Sequence, residues 1–338
     1  MLVGDLPTPA LVVDATALEH NLTTMAAALP GDRMRPHVKA HKCTELAKRQ
    51  RAVGHPGFTC ATPRELIGLA RAGLRDDLLL ANESVDHERL RAMAELDARV
   101  TVAVDSDATV KAAANAGLKE VLVDVDVGLP RCGCPPDAAG RIADHARAAG
   151  LDVRGVMGYE GHVVGLADRT ERTEKTDHSM AMLLAAHAQV GGDVVSGGGT
   201  GTFDINIWVS EIQAGSYALM DTAYGALGLP FRRAVHVVAT VVSVSGARAV
   251  ADCGLKALGM DHGNPSIDDA NVWFCSDEHI SFSFEHGPRQ PIAVGGRVVV
   301  WPAHVDPTVA YHERMVLASG ASPDAEVLET WPVDLRGW

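Results

Sequence analysis

Short apolar runs alternate with longer amphipathic segments over the first two thirds of the chain. A first strand, Ala10–Val13, leads to a helix from about Thr16 to Leu29, and Asp14 is placed to cap that helix. The segments between later strands carry Ala, Leu, Arg and Glu at helical spacing, except for a loop-like link from Gly197 to Ser210. Eight further strands are predicted from short apolar runs: Arg33–Lys39, Phe58–Cys60, Leu78–Leu80, Val100–Val104, Val121–Val125, Val153–Met157, Val194–Ser196 and Glu211–Gln213.

Eight β/α repeats over about 200 residues predict an α/β protein built on a (β/α)8 TIM-like barrel, with a doubly wound open sheet as the alternative. Beyond Phe231 the pattern changes to valine-rich and aromatic runs separated by glycine-rich turns, which is typical of a mostly β C-terminal domain. We therefore predict a barrel domain over residues 11–230. Residues 231–338, with residues 1–10, form the predicted β domain.

The composition narrows the class of partner. The chain has 338 residues and a formal net charge of −13, which argues against nucleic acid and anionic membrane as partners because both need basic surface. No apolar run reaches the length of a membrane span, and the first residues lack the pattern of a signal peptide. The six cysteines show no framework spacing, so we expect free thiols and a cytoplasmic protein.

Chemically distinctive residues lie at the carboxyl ends of several predicted strands. Lys39 ends the first barrel strand, and it is the most informative residue of the chain because interior cations are usually paired or used. A (β/α)8 barrel carries its active site on the loops that follow its strands. The loops after strands five to eight contain Arg131, Tyr159, His162, Ser196-Gly197-Gly198-Gly199-Thr200-Gly201 and Gly215-Ser216-Tyr217.

Lys39 and the glycine run together indicate pyridoxal 5'-phosphate. Backbone N–H groups of successive glycines can converge on an anion, and the loops after strands seven and eight are the usual phosphate site of this barrel. A partly desolvated lysine is a usable amine nucleophile, and an aromatic side chain can stack on the cofactor ring. Taken singly, the glycine run also fits a flexible loop, and Lys39 also fits a lysine that leaves its strand into solvent.

His304 and Asp306 form a second candidate site, within Pro302-Ala303-His304-Val305-Asp306-Pro307-Thr308. On an extended segment, side chains two residues apart point to the same side. One nitrogen and one oxygen placed in this way can bind a divalent cation. The alternative is a surface histidine beside an acid.

Motifs along nearly the whole chain, in matching order, resemble the D-threonine aldolase and D-serine dehydratase family. The segments that carry the resemblance include the His304–Asp306 segment and five others: Pro36-His37-Val38-Lys39-Ala40-His41-Lys42, Arg131-Cys132-Gly133, Ser196-Gly197-Gly198-Gly199-Thr200, Gln213-Ala214-Gly215-Ser216-Tyr217 and Asp252-Cys253-Gly254-Leu255-Lys256-Ala257-Leu258. The resemblance implies the alanine-racemase-like architecture of fold-type III pyridoxal phosphate enzymes, a barrel followed by a β domain, usually in a homodimer.

The resemblance also implies roles for individual residues. Lys39 forms the Schiff base with the cofactor, Arg131 lies near the pyridine 3-oxygen, and Tyr159 lies beside the ring. The phosphate is held by the segments that contain Gly198, Gly199, Thr200, Gly215, Ser216 and Tyr217. His304 and Asp306 are the metal ligands, and the hard oxygen of Asp306 favours manganese or magnesium over zinc.

The implied activity is a lyase acting on a D-3-hydroxy amino acid. A His-x-Asp metal site is typical of the aldolase branch and His-x-Cys of the dehydratase branch, so retro-aldol cleavage to glycine and an aldehyde is the favoured reaction. Elimination to a 2-oxo acid and ammonia, racemisation and a non-catalytic cofactor carrier remain alternatives. His162 is the candidate acid or base, although it follows Tyr159 more closely than the family histidine usually does.

Overall fold

The computed structural model describes residues 1–284 and 292–338. The chain forms two compact units. The first, here called the β unit, comprises Met1–Thr24, Ala40–Glu45 and Ser216–Asp334. The second, the barrel unit, comprises Met25–Lys39, Leu46–Gly215 and Leu335–Trp338. The break after Gly215 falls earlier than the division after residue 230 that the sequence pattern suggests.

The strands follow the hydrophobic runs closely, and most begin and end within one residue of the predicted limits. Val100–Val104, for example, has the predicted bounds. In chain order the strands are β1 Ala10–Asp14, β2 Gly57–Cys60, β3 Asp77–Leu80, β4 Val100–Val104, β5 Glu120–Asp124, β6 Asp152–Gly158, β7 Val194–Gly197, β8 Glu211–Ile212, β9 Val235–Ser245, β10 Arg248–Ala251, β11 Ala270–Cys275, β12 Ile280–Phe284, β13 Arg297–Val300, β14 Arg314–Ala318 and β15 Val327–Pro332.

The helices begin where capping residues were expected. Asp14 accepts hydrogen bonds from the N–H groups of Thr16 and Ala17, and Thr62 and Ser106 cap the helices after β2 and β4. The described part of the chain contains no helix that is both long and apolar enough to span a membrane. The helices are α1 Ala15–Ala28, α2 Thr44–Ala52, α3 Pro63–Arg71, α4 His87–Ala94, α5 Asp107–Ala116, α6 Ala139–Ala148, α7 Arg169–Val190, α8 Thr222–Gly225 and α9 Val305–Tyr311.

The barrel unit contains a parallel sheet in the order β2-β3-β4-β5-β6-β7-β8, which confirms the predicted barrel. Its two edges are joined by residues 34–37, because Met34 bridges Ile212 of β8 and His37 bridges Thr59 of β2. The predicted strand Arg33–Lys39 is therefore wrong in detail. Pro36 has no N–H to donate to a ladder, so only isolated bridges form, and Lys39 lies in the 3-10 turn Val38–Ala40 that follows.

Buried charges occupy the end of the barrel where the strands begin. Arg35 pairs with Asp77 of β3 and Glu211 of β8, each at 2.8 Å. Arg154 of β6 also binds Asp77, at 2.8 Å. Burial opposes ionisation of Asp77, but Arg154 and Arg35 outweigh it and hold the pKa of Asp77 below its ordinary value. These ion pairs join strands from opposite sides of the barrel.

The β unit is built on a sheet in the order β11-β12-β10-β9-β1-β14-β15, with β13 also paired to β9. Strand β1 was assigned to the barrel on sequence, and this assignment is wrong. It pairs antiparallel with β9 and parallel with β14, because its apolar residues are buried in this sheet rather than in the barrel. Val3, Leu6, Val12, Val238 and Val316 form part of the core beside it.

Candidate active site

Lys39 is held by the segment that closes the barrel. The N–H of His37 donates to the carbonyl of Ala214 at 3.0 Å, which fixes the backbone just before the turn that carries Lys39. The Lys39 side chain is half-buried, and its Nζ lies 5.7 Å from the centre of the Tyr159 ring. The lysine therefore lies at the carboxyl end of the barrel strands, as predicted, although on a turn rather than on a strand.

Arg131 and Tyr159 join Lys39 at this end of the barrel. Tyr159 directly follows β6, and Arg131 lies in the loop after β5 with its Cζ 5.5 Å from the Tyr159 ring centre. Both distances are within the range of cation–π contacts. In residues 1–284 and 292–338, neither Lys39 nor Arg131 forms an ion pair with a carboxylate. Two cations beside one aromatic ring make a site that suits an anionic, planar ligand.

Two buried carboxyl groups lie near Arg131, and the sequence pattern did not reveal them. Asp124 ends β5 and is buried. Burial, and next the neighbouring Glu83, raise the pKa of Asp124 well above its ordinary value. Burial and Glu83 also raise the pKa of the Cys132 thiol to about 11, which argues against Cys132 as a nucleophile at neutral pH. An acid at the last position of a barrel strand was the one available signal for Asp124.

His162 lies in the turn after Tyr159 and is exposed. Its ring packs against Gly128, in the loop after β5: a Cβ at Gly128 would lie 3.0 Å from His162 Cε1. Gly128 has a φ of +116°, a conformation that L side chains rarely adopt. The loops after β5 and β6 thus meet at this histidine, and its role as an acid or base stays a prediction.

The glycine run after β7 forms a buried loop whose first N–H groups are already bonded. The N–H of Gly198 donates to Glu160 at 3.1 Å, and the N–H of Gly199 donates to Thr202 Oγ1 at 3.1 Å. Thr200 is buried between them and Gly201. A Cβ at Gly201 would lie 1.8 Å from the Val164 carbonyl oxygen, so this position has room for glycine alone.

The segment Gly215-Ser216-Tyr217 follows β8. Gly215 belongs to the barrel unit, whereas Ser216 and Tyr217 begin the next part of the β unit in the 3-10 turn Ser216–Ala218. Tyr217 is fully buried, and its ring centre lies 5.7 Å from that of Phe231. Its side chain contributes to a core, while a role of the Gly215 and Ser216 backbone in phosphate binding stays a prediction.

The predicted metal ligands lie at the start of a helix rather than on an extended segment. His304 is the N-cap residue of α9, and Asp306 lies in the first turn. The expectation of an extended segment is wrong, because Asp221 accepts the Val305 N–H at 3.0 Å and holds the start of the helix. Even so, His304 Nε2 lies 4.0 Å from Asp306 Oδ1. Two ligands each about 2.1 Å from one ion can be this far apart.

Asp261 and His262 also belong to this cluster, and the sequence pattern did not reveal them. His304 Nδ1 lies 2.7 Å from Asp261 Oδ2, and the His262 and His304 rings stack with centres 3.8 Å apart. Asp261, His262 and His304 lie close enough together to hold a metal ion jointly. Asp261 contacts Nδ1 of His304, and the other ring nitrogen, Nε2, lies towards Asp306.

The residues present fit a divalent ion. Asp306 Oδ1 is buried and has no hydrogen-bond partner among the described residues, although buried polar atoms are normally bonded. An ion beside His304 Nε2 would give Asp306 Oδ1 a partner.

The barrel residues likewise fit pyridoxal phosphate, because Lys39 and Arg131 supply the positive charge that an anionic aromatic ligand requires.

Sequence comparison adds the family to this geometry. Residues 13–222 match the family described as "Alanine racemase, N-terminal domain", and residues 234–318 match "Putative serine dehydratase domain". A D-threonine aldolase from Arthrobacter sp. is 36% identical over 98% of this chain and 93% of its own length. The chain belongs to the D-threonine aldolase and D-serine dehydratase family.

Other members of the D-threonine aldolase and D-serine dehydratase family show the same relationship. A 3-hydroxy-D-aspartate aldolase from Paracoccus denitrificans (strain Pd 1222) is 31% identical over 99% of this chain and 93% of its own length. The crystal structure of D-threonine aldolase from Filomicrobium marinum superposes with a TM-score of 0.92, at 34% identity, over 98% of this chain and 96% of that chain. The family resemblance stated from the motifs is thus confirmed.

Proposed function

We propose that this protein is a pyridoxal phosphate- and divalent metal-dependent lyase that cleaves D-3-hydroxy amino acids to glycine and an aldehyde. The observation that carries the proposal is the convergence of Lys39 and Arg131 on Tyr159 at the carboxyl end of the barrel. The similarity to D-threonine aldolase and 3-hydroxy-D-aspartate aldolase supports it. The candidate substrates are D-threonine, D-3-hydroxyaspartate, D-phenylserine and D-serine derivatives.

In this proposal the barrel residues bind and orient the cofactor. Lys39 would supply the amine that attaches to it, Arg131 would bind its 3-oxygen, and Tyr159 would contact its ring. The phosphate binds near the loops containing Gly198, Gly199, Thr200, Gly215, Ser216 and Tyr217. Once bound, pyridoxal phosphate supplies an electron sink for the electron pair released at the α-carbon.

His162 is the proposed base for the substrate hydroxyl. Its exposed ring, packed on Gly128, can accept a proton at one ring nitrogen and return it to solvent. With substrate bound, the Lys39 side chain would no longer be attached to the cofactor, and in its ammonium form it could donate a proton to the glycine α-carbon. Replacing His162 with Asn should lower kcat more than KM if this assignment holds.

His304 and Asp306 are the proposed metal ligands, with Asp261 and His262 orienting the His304 ring. A bound divalent ion would lower the pKa of the substrate hydroxyl. The carboxylates favour manganese or magnesium, although imidazole also suits zinc. Titrating apoprotein with Mn²⁺ and observing the free ion by electron paramagnetic resonance tests the ligands without any turnover. Asp306→Asn should bind at least about tenfold more weakly, while the exposed control Asp324→Asn should match the natural protein.

The decisive experiment identifies products from D-threonine. Glycine and acetaldehyde support the aldolase, and 2-oxobutanoate supports the dehydratase instead. The dehydratase is the second candidate because a D-threo-3-hydroxyaspartate dehydratase from Delftia sp. (strain HT23) is 28% identical over 76% of this chain and 74% of its own length. The absence of product from every candidate substrate, with the cofactor bound, would reject both lyase assignments.

Two further properties are part of the proposal. We propose a homodimer, on the basis of the family resemblance, and sedimentation equilibrium measures the mass directly. We also propose a cytoplasmic location, because the six cysteines show no disulfide-framework spacing in the sequence, which is usual for proteins of a reducing compartment. Fractionation of cells that express the protein at natural levels tests the location.

A further inference from the structure

Glu160 is a fully buried carboxylate that none of the proposed catalytic steps uses. It follows Tyr159 at the end of β6 and is 0% exposed. Buried carboxylates are rare unless their oxygens are paired or hydrogen-bonded. The surroundings of Glu160 therefore indicate what this side chain is for.

Three donors converge on the two Glu160 oxygens. Oε1 accepts from Thr202 Oγ1 at 2.8 Å and from Asn206 Nδ2 at 3.1 Å, and Oε2 accepts from the Gly198 N–H at 3.1 Å. Thr202 Oγ1 in turn accepts from the Gly199 N–H at 3.1 Å. One carboxylate thus fixes Gly198 directly and Gly199 through Thr202.

This network determines the shape of the glycine loop. Gly198 has a φ of +77°, and a Cβ there would lie 2.7 Å from Ile212 Cδ1, so the residue must be glycine. Because the N–H groups of Gly198 and Gly199 donate to side chains, a phosphate on this loop is received by other groups of the loop. The carboxylate leaves the loop no freedom to turn these two N–H groups elsewhere.

Tyr159 and Glu160 contact neighbouring residues of the glycine loop. The Tyr159 ring packs against Gly199, where a Cβ would lie 3.4 Å from Tyr159 Cε2, and it also faces Lys39 and Arg131. The glycine loop is therefore held by the Tyr159 ring at Gly199 and by the Glu160 carboxylate at Gly198.

We propose that Glu160 is a positioning residue that holds the glycine loop in the conformation that binds the cofactor phosphate. The inference rests on the proposed use of pyridoxal phosphate. A direct role in proton transfer is unsuitable for Glu160, because three donors already occupy its oxygens and its side chain has no exposed surface. Its effect reaches the cofactor only through Gly198, Thr202 and Asn206.

The test compares two ligands of apoprotein by equilibrium dialysis, pyridoxal phosphate and pyridoxal, which lacks the phosphate. In Glu160→Gln an amide NH2 replaces one acceptor, so at least one of the three donors loses its partner or must reorient. We expect the Kd for pyridoxal phosphate to rise at least about tenfold, while the Kd for pyridoxal changes less than about twofold. Glu174→Gln, on the exposed side of α7, is the matched control and should bind both ligands normally.

A second pair of variants keeps the test decisive if Glu160→Gln does not fold. Thr202→Val removes the hydroxyl that links Gly199 to Glu160 and should weaken pyridoxal phosphate binding selectively, whereas Thr202→Ser retains the hydroxyl and should restore it. Equal weakening of both ligands, or unchanged binding of pyridoxal phosphate, would overturn the positioning role alone. If the natural protein binds neither ligand, the proposed cofactor is wrong.

Discussion

Cationic side chains have different partners at the two ends of the barrel. Where the strands begin, the buried Arg35 and the half-buried Arg154 share the carboxylate of Asp77 at 2.8 Å. Where the strands end, Lys39 and Arg131 lie beside the Tyr159 ring and form no ion pair within residues 1–284 and 292–338. The same residue types therefore stabilise the fold at one end and remain available to a ligand at the other.

Residues that determine stability and residues that are available to a ligand therefore lie at opposite ends of the barrel. A buried cation whose carboxylate is removed becomes an uncompensated charge, which is strongly destabilising. A half-buried cation without a partner contributes little to folding, and its removal has little effect on stability. We therefore expect substitutions at one end to change the free energy of unfolding and substitutions at the other to change cofactor binding or turnover.

Replacing Lys39 with Ala should produce the largest effect. We expect turnover to fall at least about a thousandfold, because the amine that attaches to the cofactor is lost, and the visible absorbance of bound pyridoxal phosphate should disappear. The free energy of unfolding should change by less than about 1 kcal/mol. Lys111→Ala, on the exposed surface of α5, is the control. Persistence of the absorbance in Lys39→Ala would contradict the assignment.

Replacing Asp77 with Asn should have the opposite effect to Lys39→Ala, with a large change in stability. We expect the free energy of unfolding in urea to fall by about 3 to 5 kcal/mol, since the buried Arg35 and the half-buried Arg154 would be left with too little negative charge. Asp97→Asn removes a carboxylate that is 95% exposed and pairs with Arg75, so its cost should be below about 1 kcal/mol. If Asp77→Asn and Asp97→Asn lost similar amounts of unfolding free energy, the proposed difference between the two ends of the barrel would be wrong.

Lowering the pH should reduce the difference in the free energy of unfolding between the natural protein and Asp77→Asn. The pKa of Asp77 is lowered by Arg154 and Arg35 against the effect of burial, so its stabilising effect is fully present above the ordinary carboxyl pKa of about 4. The effect is lost progressively as pH falls below that value. Urea unfolding from about pH 6 to about pH 3 measures this difference. A difference that stays constant over this range would contradict the link between the Asp77 pKa and stability.

Replacing Tyr159 should give the smallest of these effects. Tyr159→Ala removes the ring beside both cations, and we expect the Kd for pyridoxal phosphate to rise about two- to fivefold, the range of a partly exposed cation–π contact. Tyr159→Phe keeps the ring and should change the Kd less than about twofold. If Tyr159→Phe were as weak as Tyr159→Ala, the hydroxyl rather than the ring would be the important group.

Local pattern was sufficient for most of the barrel. Val100–Val104 is wholly buried, so its run of apolar residues identified the strand and both its limits. The first barrel strand failed because Pro36 interrupts its hydrogen bonding, which a hydrophobic run does not reveal. Strand β1 was placed in the wrong unit because its partners, β9 and β14, lie far away in the sequence.

The candidate site was predicted where a motif carries the chemistry and missed where tertiary neighbours do. Lys39 and Arg131 belong to short recognisable segments. Glu83, Glu160 and Asp261 do not, because an acid gains its importance from residues on other strands and loops. Glu160, for example, depends on donors that follow β7, so its role could be recognised only after folding brought the two loops together.

The closure of the barrel through residues 34–37 has a consequence for biosynthesis. Arg35 binds Glu211, a residue 176 positions away in sequence, and contacts over such distances form late in folding. The turn that carries Lys39 directly follows residues 34–37. A nascent chain therefore holds its reactive amine in place only after almost the whole barrel has been synthesised. Cofactor attachment should accordingly distinguish completed chains from truncated ones.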